Sequence, residues 1–329
     1  MDAGAVGDPE YVLEGFLEGE LLGGSVYLIE GRYLPDREEL LGGAACGASG
    51  RRRAVLLSFL SPPACAAGQP PSAIDASSIR EEGLKVVAAR LMDELSSGGA
   101  VFADSAELLR SSVGDEREYL NLLYTLRRIS MLGRGTLVIA SGGGPEEVIA
   151  DFVFEVGPLD VHGRRFRVIS ASSPYTPSGR GKFLLTSDRR IVKPSVDAAR
   201  GRMELGELEG LISSMRPDSS LEVYVDHDVP EHLVEGFLDG LASALKDAGI
   251  KASIYPDDSK DVGEDAGELL MLGKSEGAVS IHVGCPGCPR GRSDYLVRIT
   301  SIGGVPVLFF ERPWSAAYYV DGLSLRRID

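Results

Sequence analysis

The spacing of short apolar runs is what most restricts how this chain can fold. The runs 25–30 (SVYLIE), 54–59 (AVLLSF), 100–103 (AVFA) and 136–140 (TLVIA) are bounded by Gly, Pro or charged residues. Continuous apolar runs of this length, rather than alternating ones, mark strands covered on both faces. Helical periodicity lies between them. It is seen at 79–95, with Leu84, Val87, Ala88, Leu91 and Leu95 in register, and again over 116–132. Strands alternating with helices predict a parallel sheet with helices on both sides. The run 150–156 reads as a fifth strand, 166–170 with 182–186 as a hairpin, and the Ala-, Pro- and Ser-rich stretch up to Ser78 as a loop.

The polar stretch 216–220 predicts a boundary, beyond which the alternation restarts. Strands at 221–225, 251–255, 278–283 and 305–310 are expected, with helices at 230–248, 262–273 and 293–302. An α/β domain at 1–215 and a smaller, three-layer, Rossmann-like α/β domain at 218–329 follow, as suits a chain of 329 residues.

The net charge of −15 disfavours general attraction to nucleic acid or to an anionic membrane. The start of the chain is acidic and lacks the basic and apolar regions of a signal peptide, and no run is long enough for a membrane helix. A soluble cytoplasmic protein with no membrane partner is expected. Asn121 and Gln69 are the single Asn and single Gln, a scarcity found in thermophile proteins, some of which carry intracellular disulfides.

A phosphate-binding loop, G-x-x-x-x-G-K-[ST], joins a buried strand to a helix and wraps backbone amides around phosphates. The run 25–30 ends at Gly31. Counting from that glycine puts Asp36 at the second motif glycine, Arg37 at the lysine and Glu38 at the Ser/Thr. Asp36 and Glu38 would bring negative charge to the phosphate positions, and Pro35 removes an amide donor. The Arg37 guanidinium does not replace a compact ammonium. The same residues also fit a helix N-terminus whose acids face the helix dipole.

Taken in order, the landmarks resemble those of RecA/KaiC-like ATPases. Residues 20–31 (ELLGGSVYLIEG) are similar to the L-x-G-G and Gly-Ser approach to that family's first strand. Residues 100–105 (AVFADS) resemble its Walker B strand, closed by Asp104, and 128–141 resemble the helix, glycine and strand carrying a polar sensor residue, here Ser141. Residues 150–156 (ADFVFEV) resemble the next strand, and 163–168 with 182–186 the closing hairpin.

The resemblance covers residues 10–195 and is nearest to archaeal KaiC-like and RecA-paralogue proteins. It implies a RecA-like, P-loop-type parallel-sheet domain with a degenerate Walker A, in which Asp104 is either a relic of Mg²⁺ binding or a helix N-cap. The family's water-activating glutamate is missing after the second strand, where Leu60, Ser61 and Pro62 stand. The implied protein is a pseudo-ATPase with no catalytic residues, cofactor or metal. It would serve as a structural or regulatory subunit in archaeal DNA repair or a KaiC-like assembly. Its partner would be an active family member or another copy of itself.

Three other groups offer alternatives. Residues 163–202 hold ten Lys and Arg against two Asp and Glu. Within them Arg164, Arg165, Arg167, Arg180, Lys182, Arg189 and Arg190, with Tyr175 in the loop, suit either a nucleic-acid backbone or an acidic protein partner. Cys285 and Cys288 form a C-x-x-C after a strand, which fits a structural disulfide, an inert turn, a thiol-redox pair or half a metal site. Cys46 and Cys65 stand apart from them and from each other. Asp226, His227 and His232 follow the first strand of the second domain, where α/β sheets bind ligands, and equally fit a polar loop and helix cap. The last two groups keep open an enzyme or ligand-binding module in the C-terminal domain.

Overall fold

The computed structural model describes residues 22–329 except 61, 64, 66–69, 173–180, 187–190, 193–201, 216–220, 227, 228, 230, 256–277, 284–293, 303, 304, 313, 314, 322, 323 and 329. The chain divides into two compact units, 1–192 and 193–329. Both are mixed α/β, the first built on a large, parallel-dominated sheet and the second on a smaller one. Among the described residues no helix is long and apolar enough to cross a membrane.

In the first unit the elements run β1 (Val26–Glu30), α1 (Leu34–Ser49), β2 (Ala54–Ser58), β3 (Ser72–Asp75), α2 (Ser77–Glu81), α3 (Leu84–Ser96) and β4 (Ala100–Ala103). Then come α4 (Ala106–Val113), α5 (Glu116–Gly133), β5 (Thr136–Ser141), a 3₁₀ turn (Pro145–Ile149), β6 (Phe152–Val161), β7 (Arg164–Ser172), β8 (Gly181–Leu185) and β9 (Ile191–Val192). The sheet order is β3-β2-β4-β5-β1-β6-β7-β8-β9. Pairing is parallel from β3 through β1 to β6 and antiparallel from β6 onward.

β1 is apolar at successive positions because both its faces are covered. Tyr27 and Ile29 pack with Leu40, Leu41, Ala44 and Ala45 of α1. Val26 and Leu28 pack with Leu91 of α3 and with Leu109, Tyr119 and Leu123 of α4 and α5. Tyr27 stacks on Phe152 at 4.9 Å, and its hydroxyl accepts the Leu22 amide at 2.9 Å. Burial pushes that phenol up to about 12. Asp151 binds β1 from the side: it accepts the Val26 amide at 2.8 Å and Arg127 at 3.0 Å. Ser105 caps α4 through the Leu108 amide, and Asp115 caps α5 through the Glu118 amide. β3 falls within the stretch read as loop.

The second unit contains α6 (Glu207–Ser213), β10 (Leu221–Val225), α7 (Glu231–Asp247), β11 (Lys251–Tyr255) and β12 (Ala278–Val283). It closes with β13 (Tyr295–Ile302), β14 (Val305–Arg312), β15 (Ala316–Asp321) and β16 (Ser324–Arg327), in the order β11-β12-β10-β13-β14-β15-β16. Leu233, Phe237, Leu241 and Leu245 form the buried stripe of α7 against Val297, Ile299 and Phe310 of the sheet.

The span 293–302, expected as a helix, is strand β13. It pairs in parallel with β10 and antiparallel with β14. Its β-branched residues Val297, Ile299, Thr300 and Ile302 favour the pleated surface, where helix period and strand period compete over so short a run. The parallel alternation therefore gives way to an antiparallel meander, β13 to β16. The expected helix at 262–273 lies outside the described residues. The break between units falls at 192/193 instead of 216–220, because Met203, Leu205, Leu208, Ile212 and Met215 all enter the second core. A Cβ on Gly240 would lie 2.4 Å from the Met203 carbonyl, so α7 accepts that segment only with a bare glycine.

Cys46 and Cys65, isolated in the sequence reading, form a disulfide that fastens the β2–β3 connection to α1. The two are 19 residues apart, and closing a loop of that size restricts the unfolded chain by about 3 kcal/mol. Replacing both with Ser should lower the midpoint of thermal unfolding by roughly 6–12 °C. An unchanged midpoint would show that the bridge does not constrain the unfolded chain.

Candidate functional site

In open α/β sheets the functional crevice lies beyond the carboxyl ends of the strands, where the connections diverge. Here β1 leads leftward to β2 through α1, while β5 leads across β1 to β6. The groups at the ends of β1, β4 and β5 are Glu30, Asp104 and Ser141, with the residues that follow them.

The connection from β1 to α1 is short. Only Gly31, Arg32 and Tyr33 separate strand from helix, and Pro35 sits in the first turn. Asp36, Arg37 and Glu38 are therefore helical residues, and no loop remains at that place to wrap a phosphate. Gly31 answers to a different need, since a Cβ there would lie 2.6 Å from the Val156 carbonyl of β6.

Arg37 is 6 % exposed and points its guanidinium at Glu107, 2.7 Å away. The same Glu107 oxygen accepts the Gly142 amide, and the other accepts the Ser105 hydroxyl at 3.0 Å. Burial pushes this carboxyl up, but the donors from Arg37, Gly142 and Ser105 outweigh it and hold it below the usual carboxylate range. A second carboxylate lies beside the first. Glu146 is fully buried and accepts Tyr119 at 2.5 Å, Arg110 at 3.3 Å and Ser141 at 3.1 Å. Burial, then Glu146, drives the Tyr119 phenol far above its ordinary value.

The glycine run 142–144 is explained by these carboxylates. A Cβ on Gly142 would lie 2.6 Å from Glu107 Oε1, and one on Gly144 would lie 2.5 Å from Arg110 and 2.6 Å from Glu146. Gly143 has φ of 109°, open to glycine alone without strain. Within the run the Gly142 amide donates to the Glu107 carboxylate and the Gly143 amide to the Ser141 hydroxyl at 3.1 Å.

Asp104, the Walker B-like residue, is buried and turned toward β2. It accepts the amides of Phe59 and Leu60 and the Ser58 hydroxyl at 2.9–3.1 Å. It is not the helix cap, a role taken by Ser105. Asp36 joins Glu39 in accepting Arg167, at 3.3 and 2.8 Å, and Arg167 also donates to the Thr186 carbonyl at 3.0 Å. Glu38 is half-buried on α1.

Within the basic segment, Arg165 pairs with Asp160 at 3.2 Å and Arg167 is engaged as above. Arg164 opens β7 and Lys182 lies in β8, while Tyr175, Arg180, Arg189 and Arg190 lie outside the described residues. Cys285, Cys288 and His227 also lie outside them. Asp226 follows β10, its amide donating to the Ile299 carbonyl at 2.9 Å, and His232 is exposed in the first turn of α7.

Sequence reasoning missed Glu30, Glu107, Arg110, Tyr119 and Glu146. Four of the five sit on helices or strands at positions that read as ordinary solvent or core residues. Glu146 carried a signal, as an acid placed directly after a glycine run and Pro145.

No protein-family model matches this chain, and no curated protein matches it.

Glu30 closes β1 near these carboxylates. Burial first, then the neighbouring Glu147, Glu155 and Glu146, push its carboxyl up to about 7. A carboxyl with a raised pKa in the folded state stabilises it below the ordinary carboxylate range and loses that contribution as pH climbs to about 7. Glu30→Gln should therefore raise the thermal midpoint above pH 7 and leave it unchanged near pH 4.5. Equal shifts at both pH values would refute the assignment.

Proposed function

We propose that this protein is a non-hydrolysing RecA/KaiC-like paralogue that works through protein contacts, as a structural or regulatory subunit. The elements that carry the resemblance support this reading by falling in a single sheet. They are β1, β4 with Asp104, β5 with Ser141, β6, and the β7–β8 hairpin.

The observation that carries the proposal is the Glu107 carboxylate seated on Arg37 and the Gly142 amide. Those donors are the ones a phosphate would need, and a negative side chain already uses them. Glu147, Glu155 and Glu146 crowd the same strand ends, where with burial they push the Glu30 carboxyl up to about 7. Nucleotide binding is disfavoured twice, by occupied donors and by like charge.

The fitting partner is an active subunit of the same kind, or a second copy of this chain, in an assembly such as those of DNA repair or KaiC-like signalling. The pairing of Arg165 and Arg167 with carboxylates favours a protein role for that face over binding to nucleic acid.

Calorimetry with ATP and ADP, with and without Mg²⁺, is the test. The wild-type chain should give no binding heat, and Glu107→Ala should gain weak phosphate binding, with Kd on the order of millimolar, as Arg37 and the Gly142 amide are freed. Micromolar ATP binding by the wild-type chain, or hydrolysis lost in Asp104→Asn, would overturn the proposal.

A further inference from the structure

The two ends of the first sheet differ in charge, and both expose apolar side chains. The path of the chain fixes which residues stand at each end. α4 starts directly after β4 and α5 follows it, so the first turn of α5 lies at the carboxyl end of the parallel strands. α5 then extends about 27 Å and stops just before β5, at the amino end.

At the carboxyl end Leu108 of α4 is exposed, as are Tyr33 and Leu34 beyond β1. Around them Asp115, Glu116, Glu118 and Glu147 are exposed, against Arg32 and Arg117. At the amino end Leu22, Met131 and Leu132 are exposed, the last by 77 %. The Leu22 carbonyl accepts the Thr136 hydroxyl at 3.1 Å, and a Cβ on Gly24 would lie 3.8 Å from the Met131 Cα, so these three belong to one patch. Arg53, Arg128 and Arg134 are exposed at the same end, against Asp93.

Acids at the start of a helix and cations at its end suit the dipole of α5. That accounts for the signs of charge and for none of the exposed apolar side chains. Nine large apolar residues are exposed among the described residues, and six of them fall in these two groups. Such clustering marks surfaces that another molecule covers.

We propose that the amino end of one copy docks on the carboxyl end of the next, in an end-to-end contact between copies of this chain. The occupant is a second copy because each end carries the charge that complements the other, whereas like ends would meet with like charge. Every copy in such a contact keeps one end open, so the contact propagates into a row or closes as a ring. The inference rests on the reading above, that this protein works through protein contacts, and it names the surfaces.

Light scattering or sedimentation on the full chain, from micromolar to millimolar concentration, tests this. The weight-average mass should climb past that of a dimer and fall back when salt is raised from about 0.05 to about 0.5 M. Leu132→Glu at the amino end and Leu108→Lys at the carboxyl end should each abolish the growth. Mixed in equal amounts, the two variants should form a dimer and nothing larger, through the intact end of each. Both positions are exposed, and an unchanged unfolding midpoint checks that each variant keeps its fold. A wild-type chain that stays monomeric throughout would overturn the proposal. So would a dimer that Leu108→Lys leaves intact, or a mixture of the two variants that stays monomeric. The two readings fail separately, since nucleotide binding counts against the one above and a monomeric chain against this one.

Discussion

Hydrogen-bond donors gathered at the carboxyl end of a parallel sheet have to be met by acceptors where they are buried, because a buried polar group left unpaired costs about 1–3 kcal/mol. In this protein the ends of β4 and β5 and the start of α1 deliver the Ser105 and Ser141 hydroxyls, the Gly142 amide and the Arg37 guanidinium to one region. Glu107 accepts from the Arg37 terminal nitrogen, the Gly142 amide and the Ser105 hydroxyl, and Glu146 accepts from the Ser141 hydroxyl. The arrangement around the strand ends follows from that requirement: the glycine run yields space to the carboxylates, and Tyr119 and Arg110 satisfy the remaining lone pairs of Glu146.

These carboxylates also hold the layers together. Glu107 starts on α4, on one face of the sheet, and reaches Arg37 of α1, on the other. Glu146 gathers α4, α5 and β5, while Asp104 fixes the exit of β2 to the end of β4. Removing Arg110 or Tyr119 would leave the fully buried Glu146 carboxylate short of a donor, whereas the part-exposed Glu107 could turn to solvent. Buried ionic groups add little net stability against an apolar filling. Their effect here is to fix which helix meets which strand, in the end of the fold where related architectures keep mobile ligand loops. The Cys46–Cys65 bridge and the Asp104 contacts fasten the β2–β3 connection from two sides, which makes this end still less free to move.

The parallel sheet of the first unit was legible because its strands are apolar on both faces, so that the runs at β1, β2, β4 and β5 stood out by composition alone. The hairpin of β7 and β8 was legible as well, although β7, RRFRVISAS, buries only some of its residues. β13 was not, since YLVRITSI satisfies either period when read without its partners, and its register with β10 and β14 decides the matter. β3 was hidden by its brevity and its polar flanks. That no phosphate-binding loop follows β1 was legible at Asp36 and Pro35, yet the carboxylate cluster at the strand ends was not. Glu107 near a helix N-terminus reads as a dipole-compensating acid, and only the fold brings it to Arg37, 70 positions away. The Cys46–Cys65 pairing was hidden similarly, because two cysteines 19 residues apart carry no spacing rule of their own.

A phosphate nest and this strand-end cluster use the same donors, so the outcome depends on which acceptor wins them. A carboxylate tethered to its own domain competes at an effective concentration on the order of millimolar even when its link is flexible. Glu107 is held by α4, a capped helix, and gains further from pre-organisation. An incoming polyanion would have to displace it, desolvate, and then place its charges beside Glu146 and Glu147. The repulsion already present there helps keep Glu30 protonated up to about pH 7. The Arg37 guanidinium and the Gly142 amide thus form an anion site whose occupant, Glu107, is covalently part of the chain.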